Sequence, residues 1–158
     1  DLMQLADPRF YGPDPEWGAL MFMYVRPSRY MNRAKREEVY KAASLFLNEL
    51  LDKKDRKVDV IISVRGAGLA EHVDGYCLCT EEYDNGKPRE IFVEVRGDRG
   101  LDFLIKCLAH ELTHVWQMIT GRIPEKEYMD TKDYYNSPWE VEARELEMPL
   151  YELYLKHS

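Results

Sequence analysis

Apolar residues in this 158-residue chain recur with two different periods, and the periods predict its elements. Over residues 32–55, Val39, Ala42, Ala43, Phe46, Leu47, Leu50 and Leu51 repeat at helical spacing with Lys, Arg and Glu between them. That spacing predicts an amphipathic helix with Asn32 as N-cap. A second stripe, Leu101, Leu104, Leu108, Leu112, Val115 and Ile119, predicts a helix over residues 101–120 that ends at Gly121. A third helix is expected to start at Ser137-Pro138, a serine N-cap with proline at the first helical position, and to run toward Lys156, kinked or interrupted at Pro149. Between the first two helices, residues 57–64, 75–81 and 90–96 have the composition of strands, and Asn85-Gly86 marks a hairpin turn between the last two. Arg65-Gly66-Ala67-Gly68 lacks the Gly-Lys-Ser/Thr ending of a phosphate loop and reads as a plain turn. Residues 1–30, rich in proline and aromatics, read as an extended arm on the domain, with room for one strand in the apolar run 19–25. The expected fold is α+β in one domain: an N-terminal helix, a small three- or four-stranded, largely antiparallel sheet, and two further helices.

Composition narrows the partners. A hydrophobic content of 45% with 12% aromatics suits a folded globule, and no uninterrupted apolar run is long enough to span a membrane. The net charge of −7 repels polyanions on average, so no nucleic-acid partner is expected. Three cysteines make an odd set, and Cys77 and Cys79 are too close along a strand to pair with each other, which favours reduced thiols. With no segment resembling a signal peptide, the expected location is cytoplasmic.

The second predicted helix carries His110-Glu111-Leu112-Thr113-His114. In a chain with 4 His and 17 Glu, a His-Glu-x-x-His run arises by chance about 0.01 times. Residues four apart on a helix differ by about 40° around the axis and about 6 Å along it, so both imidazoles leave one face and can share one metal ion. Glu111 lies at the edge of that face, where its carboxylate can take a proton from a water polarised by the metal. Catalytic zinc usually takes three protein ligands, so a third is required.

On the following helix, Pro138-Trp139-Glu140-Val141-Glu142-Ala143-Arg144-Glu145 resembles the Glu-x-x-Ala-Asp/Asn element of the gluzincin branch of zinc metallopeptidases. The resemblance implies Glu140 as the third zinc ligand and Ala143 as the small residue that lets the two helices approach. Arg144 stands where many relatives carry an acid or amide that orients a histidine, leaving Glu142 or Glu145 to supply that contact. His-Glu-Leu-Thr-His-Val-Trp-Gln followed by Tyr-x-x-x-Pro-Trp-Glu-x-Glu-Ala is also similar to small zincin-like domains of bacteria and their phages. The likeness to compact zincins spans residues 57–155. It implies a zinc-dependent metallopeptidase acting on a polypeptide substrate, with Zn²⁺ on His110, His114 and Glu140 and with Glu111 as general base. Strand 90–96, directly before the motif helix, is a candidate to pair with an extended peptide.

Other readings stay open on the same residues. Ser137-Pro138-Trp139-Glu140 also fits a capping box, in which Glu140 bonds back to the Ser137 N–H and Glu142 becomes the ligand. Cys77, Cys79 and Cys107 with His110 could make a structural zinc site. Tyr128, Tyr134, Tyr135, His72 and Arg65 are candidates to stabilise an oxyanion. A catalytically weak or inactive zincin-like binding or regulatory module is the functional alternative.

Overall fold

The structure, a computed structural model, describes residues 22–66, 74–123 and 134–158. Its elements are β1 (Phe22–Val25), α1 (Arg33–Leu50), β2 (Asp59–Arg65), β3 (Gly75–Glu82), β4 (Pro88–Arg96), α2 (Leu101–Ile119) and α3 (Pro138–Lys156), with short 3-10 turns at Lys53–Asp55 and Tyr134–Asn136. The described residues thus form an α+β fold with three α-helices and one open, mixed four-stranded sheet.

Each helix forms where the apolar spacing places it. Asn32 caps α1, its side-chain oxygen accepting from the Lys35 N–H at 2.8 Å. The helix stops at Leu50, short of residue 55, because the polar stretch after Leu51 has no apolar face to bury. Arg56 folds back there and donates to the Leu51 carbonyl at 3.0 Å and to Asn48 at 3.1 Å, satisfying an end the helix leaves open. At the end of α2, Gly121 has φ +73°. The Gly121 and Arg122 N–H groups return to the carbonyls of Met118 and Gln117, a Schellman turn that only glycine enters without strain. The α3 helix starts after Ser137 with Pro138 in its first turn and continues through Pro149 without a break, so the expected interruption is not there. Hydrogen bonds from its tyrosines anchor its C-terminal half: Tyr151 to Asp102 of α2 at 2.7 Å, and Tyr154 to Glu38 of α1 at 2.6 Å.

The sheet corrects the expectation of a largely antiparallel arrangement. Strand order is β1-β2-β4-β3; β1 pairs with β2 and β2 with β4 in parallel, and only β3 and β4 are antiparallel. The Asn85-Gly86 hairpin signal is correct, with Gly86 at φ +83° and its N–H on the Tyr83 carbonyl at 2.9 Å. That signal reports only the local β3–β4 pair. Helix α1 is the crossover that brings β2 alongside β1 in parallel, and β3 lies at the sheet's edge so that the hairpin returns β4 between β3 and β2. Val60, Ile62 and Val64 of β2 and Ile91, Val93 and Val95 of β4 alternate onto the face turned toward the helices, where they form one core with Phe46, Leu47, Leu104, Leu108 and Leu112. Among the described residues no helix is long and apolar enough to cross a membrane.

Candidate metal centre

Helix α2 presents the two histidines to the first turn of α3. Their rings sit edge to face with centroids 4.9 Å apart. The Glu140 carboxylate reaches both, Oε1 lying 2.7 Å from His110 Nε2 and Oε2 2.9 Å from His114 Nε2. One ligand atom from each residue lies within 4.8 Å of the others, so the three could hold a metal ion. Ala143, fully buried one turn on, supplies the small side chain expected where the helices meet. Ser137 makes no side-chain cap bond, and the carboxylate of Glu140 is spent on the imidazoles rather than in a capping box. Glu142 instead accepts from the Gln117 amide at 2.8 Å, outside the cluster.

The remaining ring nitrogens decide what the cluster is suited to. His114 Nδ1 lies 2.7 Å from Gln117 Oε1, and the Gln117 amide nitrogen donates to the Trp139 carbonyl at 2.9 Å and to Glu142. With both amide hydrogens placed on acceptors, the amide oxygen must accept, so the proton of His114 belongs on Nδ1. His110 Nδ1 faces Glu147 at 3.3 Å in the same way. Both Nε2 atoms are thereby turned toward the Glu140 carboxylate, a contact that a proton or a metal ion between nitrogen and oxygen makes favourable. Two imidazoles, each held from behind, and a carboxylate are donors that suit zinc and other divalent first-row metals.

The electrostatics agree. Burial alone would lower the pKa of His110, but the carboxylates of Glu140 and Glu147 outweigh it and raise it from 6.5 to about 10. Burial would raise Glu140, and its bonds to His110 and His114 instead hold it well below the usual carboxylate range. Without a metal, a proton shared on this pair supplies the missing positive charge.

Glu111 lies on the adjoining side of α2, against Gly75 and Cys77 of β3. Burial raises its pKa while the two histidines pull it down, and the Cys77 thiol donates to it. Its Oε2 is buried with no hydrogen-bond partner among the described residues, a position that suits a group waiting for a proton. Gly75 allows this closeness: a Cβ there would stand 2.9 Å from the Glu94 carbonyl and 3.0 Å from Glu111 Cγ.

Several candidates fall elsewhere. None of the three cysteines forms a disulfide, and none joins a metal-ligating group among the described residues. Cys77 is buried beside Glu111, Cys79 donates to the Glu81 carbonyl at 3.3 Å, and burial lifts the Cys107 thiol to about 12. Arg65 pairs with Glu94 at 3.4 Å on the sheet face turned away from α2. Tyr135 is exposed, with the Arg144 guanidinium 3.6 Å above its ring, so Arg144 is not aimed at a histidine. His72, Tyr128 and the side chain of Tyr134 lie outside the described residues.

Gln117 and Glu147 were not singled out from the sequence. Each carried a signal: Gln117 is a polar residue on the buried stripe three residues past His114, and Glu147 lies two helical turns past Glu140 on the same face. A cleft of about 1060 Å³ runs between β3 and the C-terminal half of α2, lined by Cys77, Leu78, Cys79, Trp116, Ile119 and Arg122. Among the described residues none of the three candidate ligands lines it, and it approaches the site through Cys77, the neighbour of Glu111. Compared with protein-family models, curated proteins and solved structures, the chain finds no match in any of the three.

Proposed function

We propose that this protein is a zinc-dependent metallopeptidase of zincin type. The observation that carries the reading is the convergence of His110, His114 and Glu140, with the buried carboxylate of Glu111 on the adjoining side of the same helix. His110 and His114 would hold the ion through Nε2, and Glu140 through its carboxylate. When bound there, zinc supplies a Lewis acid that polarises a carbonyl and acidifies water. Glu111 accepts the water proton at its unpartnered oxygen and passes it to the leaving amine. Burial keeps this carboxylate dry and raises its basicity, as a general base requires.

The expected peptide-pairing strand changes. β4 is bonded on one side to β2 and on the other to β3, so it has no open edge. The outer strand beside Glu111 is β3, and an extended polypeptide would align along its edge, next to Gly75 and Cys77.

The test is to purify the protein under reducing, chelator-free conditions, measure zinc by elemental analysis, and assay cleavage of a mixed peptide library. Wild type should hold one zinc per chain and cleave. Glu111→Gln should keep the zinc and lose at least about a hundredfold in turnover, and His110→Ala should lose both. Wild type without stoichiometric zinc overturns the proposal, and equal cleavage by Glu111→Gln removes the assigned base.

A further inference from the structure

The Gln117 amide joins the two helices beside the metal centre. Gln117 is fully buried, and its three polar contacts end at His114 of α2, at the backbone carbonyl of Trp139, the residue before Glu140, and at the Glu142 carboxylate. A primary amide can turn over, exchanging its oxygen for its nitrogen at almost no change in shape. The two ends have opposite consequences for His114. An amide oxygen at Nδ1 requires a proton there and leaves Nε2 as a lone pair beside Glu140; an amide nitrogen at Nδ1 would require the reverse tautomer, with Nε2 protonated and useless as a ligand.

We infer that Glu142 is a positioning residue for the metal centre: by accepting from Gln117 it fixes, together with the Trp139 carbonyl, the amide orientation and, through it, the tautomer of His114. Turning the amide over would set its oxygen against two acceptors, the Trp139 carbonyl and the Glu142 carboxylate, and both donor bonds would be lost. Glu142 is held in turn by Arg122, whose Nη1 lies 3.6 Å from Oε2 while its guanidinium rests 4.2 Å above the Trp116 ring. The Gly121 turn sets Arg122 there. The Arg122–Glu142 pair is largely exposed and long, so it steers less than the buried Gln117 contacts do. The glutamate that competes with Glu140 in the sequence thus acts on the other helix's histidine. The inference rests on the metal-binding part of the proposed function and holds whether or not peptides are cleaved.

Two measurements test it. In metal-free, ¹⁵N-labelled protein, long-range imidazole spectra should place a proton on Nδ1 of His114; a bare Nδ1 with the proton on Nε2 overturns the inference without any variant. In zinc competition against a chelator, Gln117→Leu should weaken binding by about 10- to 100-fold, the usual cost of losing the group behind a ligating histidine. Glu142→Gln, which leaves the Trp139 carbonyl as the remaining group that sets the amide's orientation, should weaken it by up to about tenfold, and Arg122→Ala by less. Gln117→Glu should be worse than Glu142→Gln, because a buried carboxylate then faces the carboxylate of Glu142. The double variant Gln117→Glu/Glu142→Gln restores one acceptor and one donor, and should recover affinity relative to Gln117→Glu. Wild-type zinc binding that Glu142→Gln and the double variant leave unmoved defeats this inference alone. A wild type that binds no zinc defeats the proposed function, and the tautomer measurement still decides the inference.

Discussion

The contact of α1 with the sheet and the contact of α2 with α3 are both buried, yet they are built from opposite materials. α1 buries Val39, Ala42, Ala43, Phe46 and Leu47 and no titratable group. Around the first turn of α3, α2 brings His114 and Gln117 to Glu140, all buried, with Glu111 buried on the side toward β3. Apolar burial is favourable at about 25 cal/mol per Å² wherever it occurs, whereas burying charge is costly unless every member is paired. A polar set at a helix junction is therefore a poor way to stabilise a fold and a good way to hold a cation. The comparison teaches that α1, the sheet and the apolar face of α2 carry the stability, and that the junction with α3 is spent on the site.

Three substitutions or conditions probe this division, the most disruptive first. Phe46→Ala in the α1 core should cost about 3–5 kcal/mol of unfolding free energy, read by denaturant melts, while zinc per folded chain stays the same. Loss of zinc at equal foldedness would show that the two regions are not separate.

Next is pH. His110 is raised from 6.5 to about 10, so what it adds to stability is complete below 6.5 and is lost as the pH climbs through about 10. Glu140 is depressed from 4.5, so its share is complete above 4.5 and is lost as the pH falls. These are two views of one ion pair, which therefore favours the metal-free protein most between 4.5 and 6.5. The Tm of metal-free protein should fall from pH 6.5 to 9, and saturating zinc should flatten or reverse that arm by taking the proton's place. A metal-free Tm that rises over this range contradicts the pairing.

The smallest change is Gly75→Ala. The added methyl meets the Glu94 backbone carbonyl, which cannot yield as a flexible side chain can, at a cost of about 1–3 kcal/mol. Zinc content should hold, while cleavage falls by about tenfold or more as Glu111 and β3 are pushed apart. Unchanged cleavage with altered zinc would place Glu111 in the wrong role.

What was readable in the sequence follows from how local each feature is. His110, Glu111 and His114 are set by one helix, and the i, i+4 rule suffices to bring the histidines together. Asn32, Gly86 and Gly121 act within a few residues, and each does what its residue type predicts. Glu140 was legible only as one of two glutamates, because its choice between Ser137 and the histidines depends on how closely α3 approaches α2. Gln117 and Glu147 acquire meaning only across that contact, where spacing along a single helix says nothing. Strand order is non-local in the same sense: the alternation in β2 and β4 identifies strands but not neighbours, and the parallel pairs escaped for that reason.

The central claim, that His110, His114 and Glu140 hold one catalytic zinc, is tested most directly by crystals grown with zinc and measured across the zinc absorption edge. A single anomalous peak is expected about 2.0–2.2 Å from Nε2 of both histidines and from a carboxylate oxygen of Glu140. A peak on the cysteines or on Glu142, or none at full zinc occupancy in solution, would contradict it.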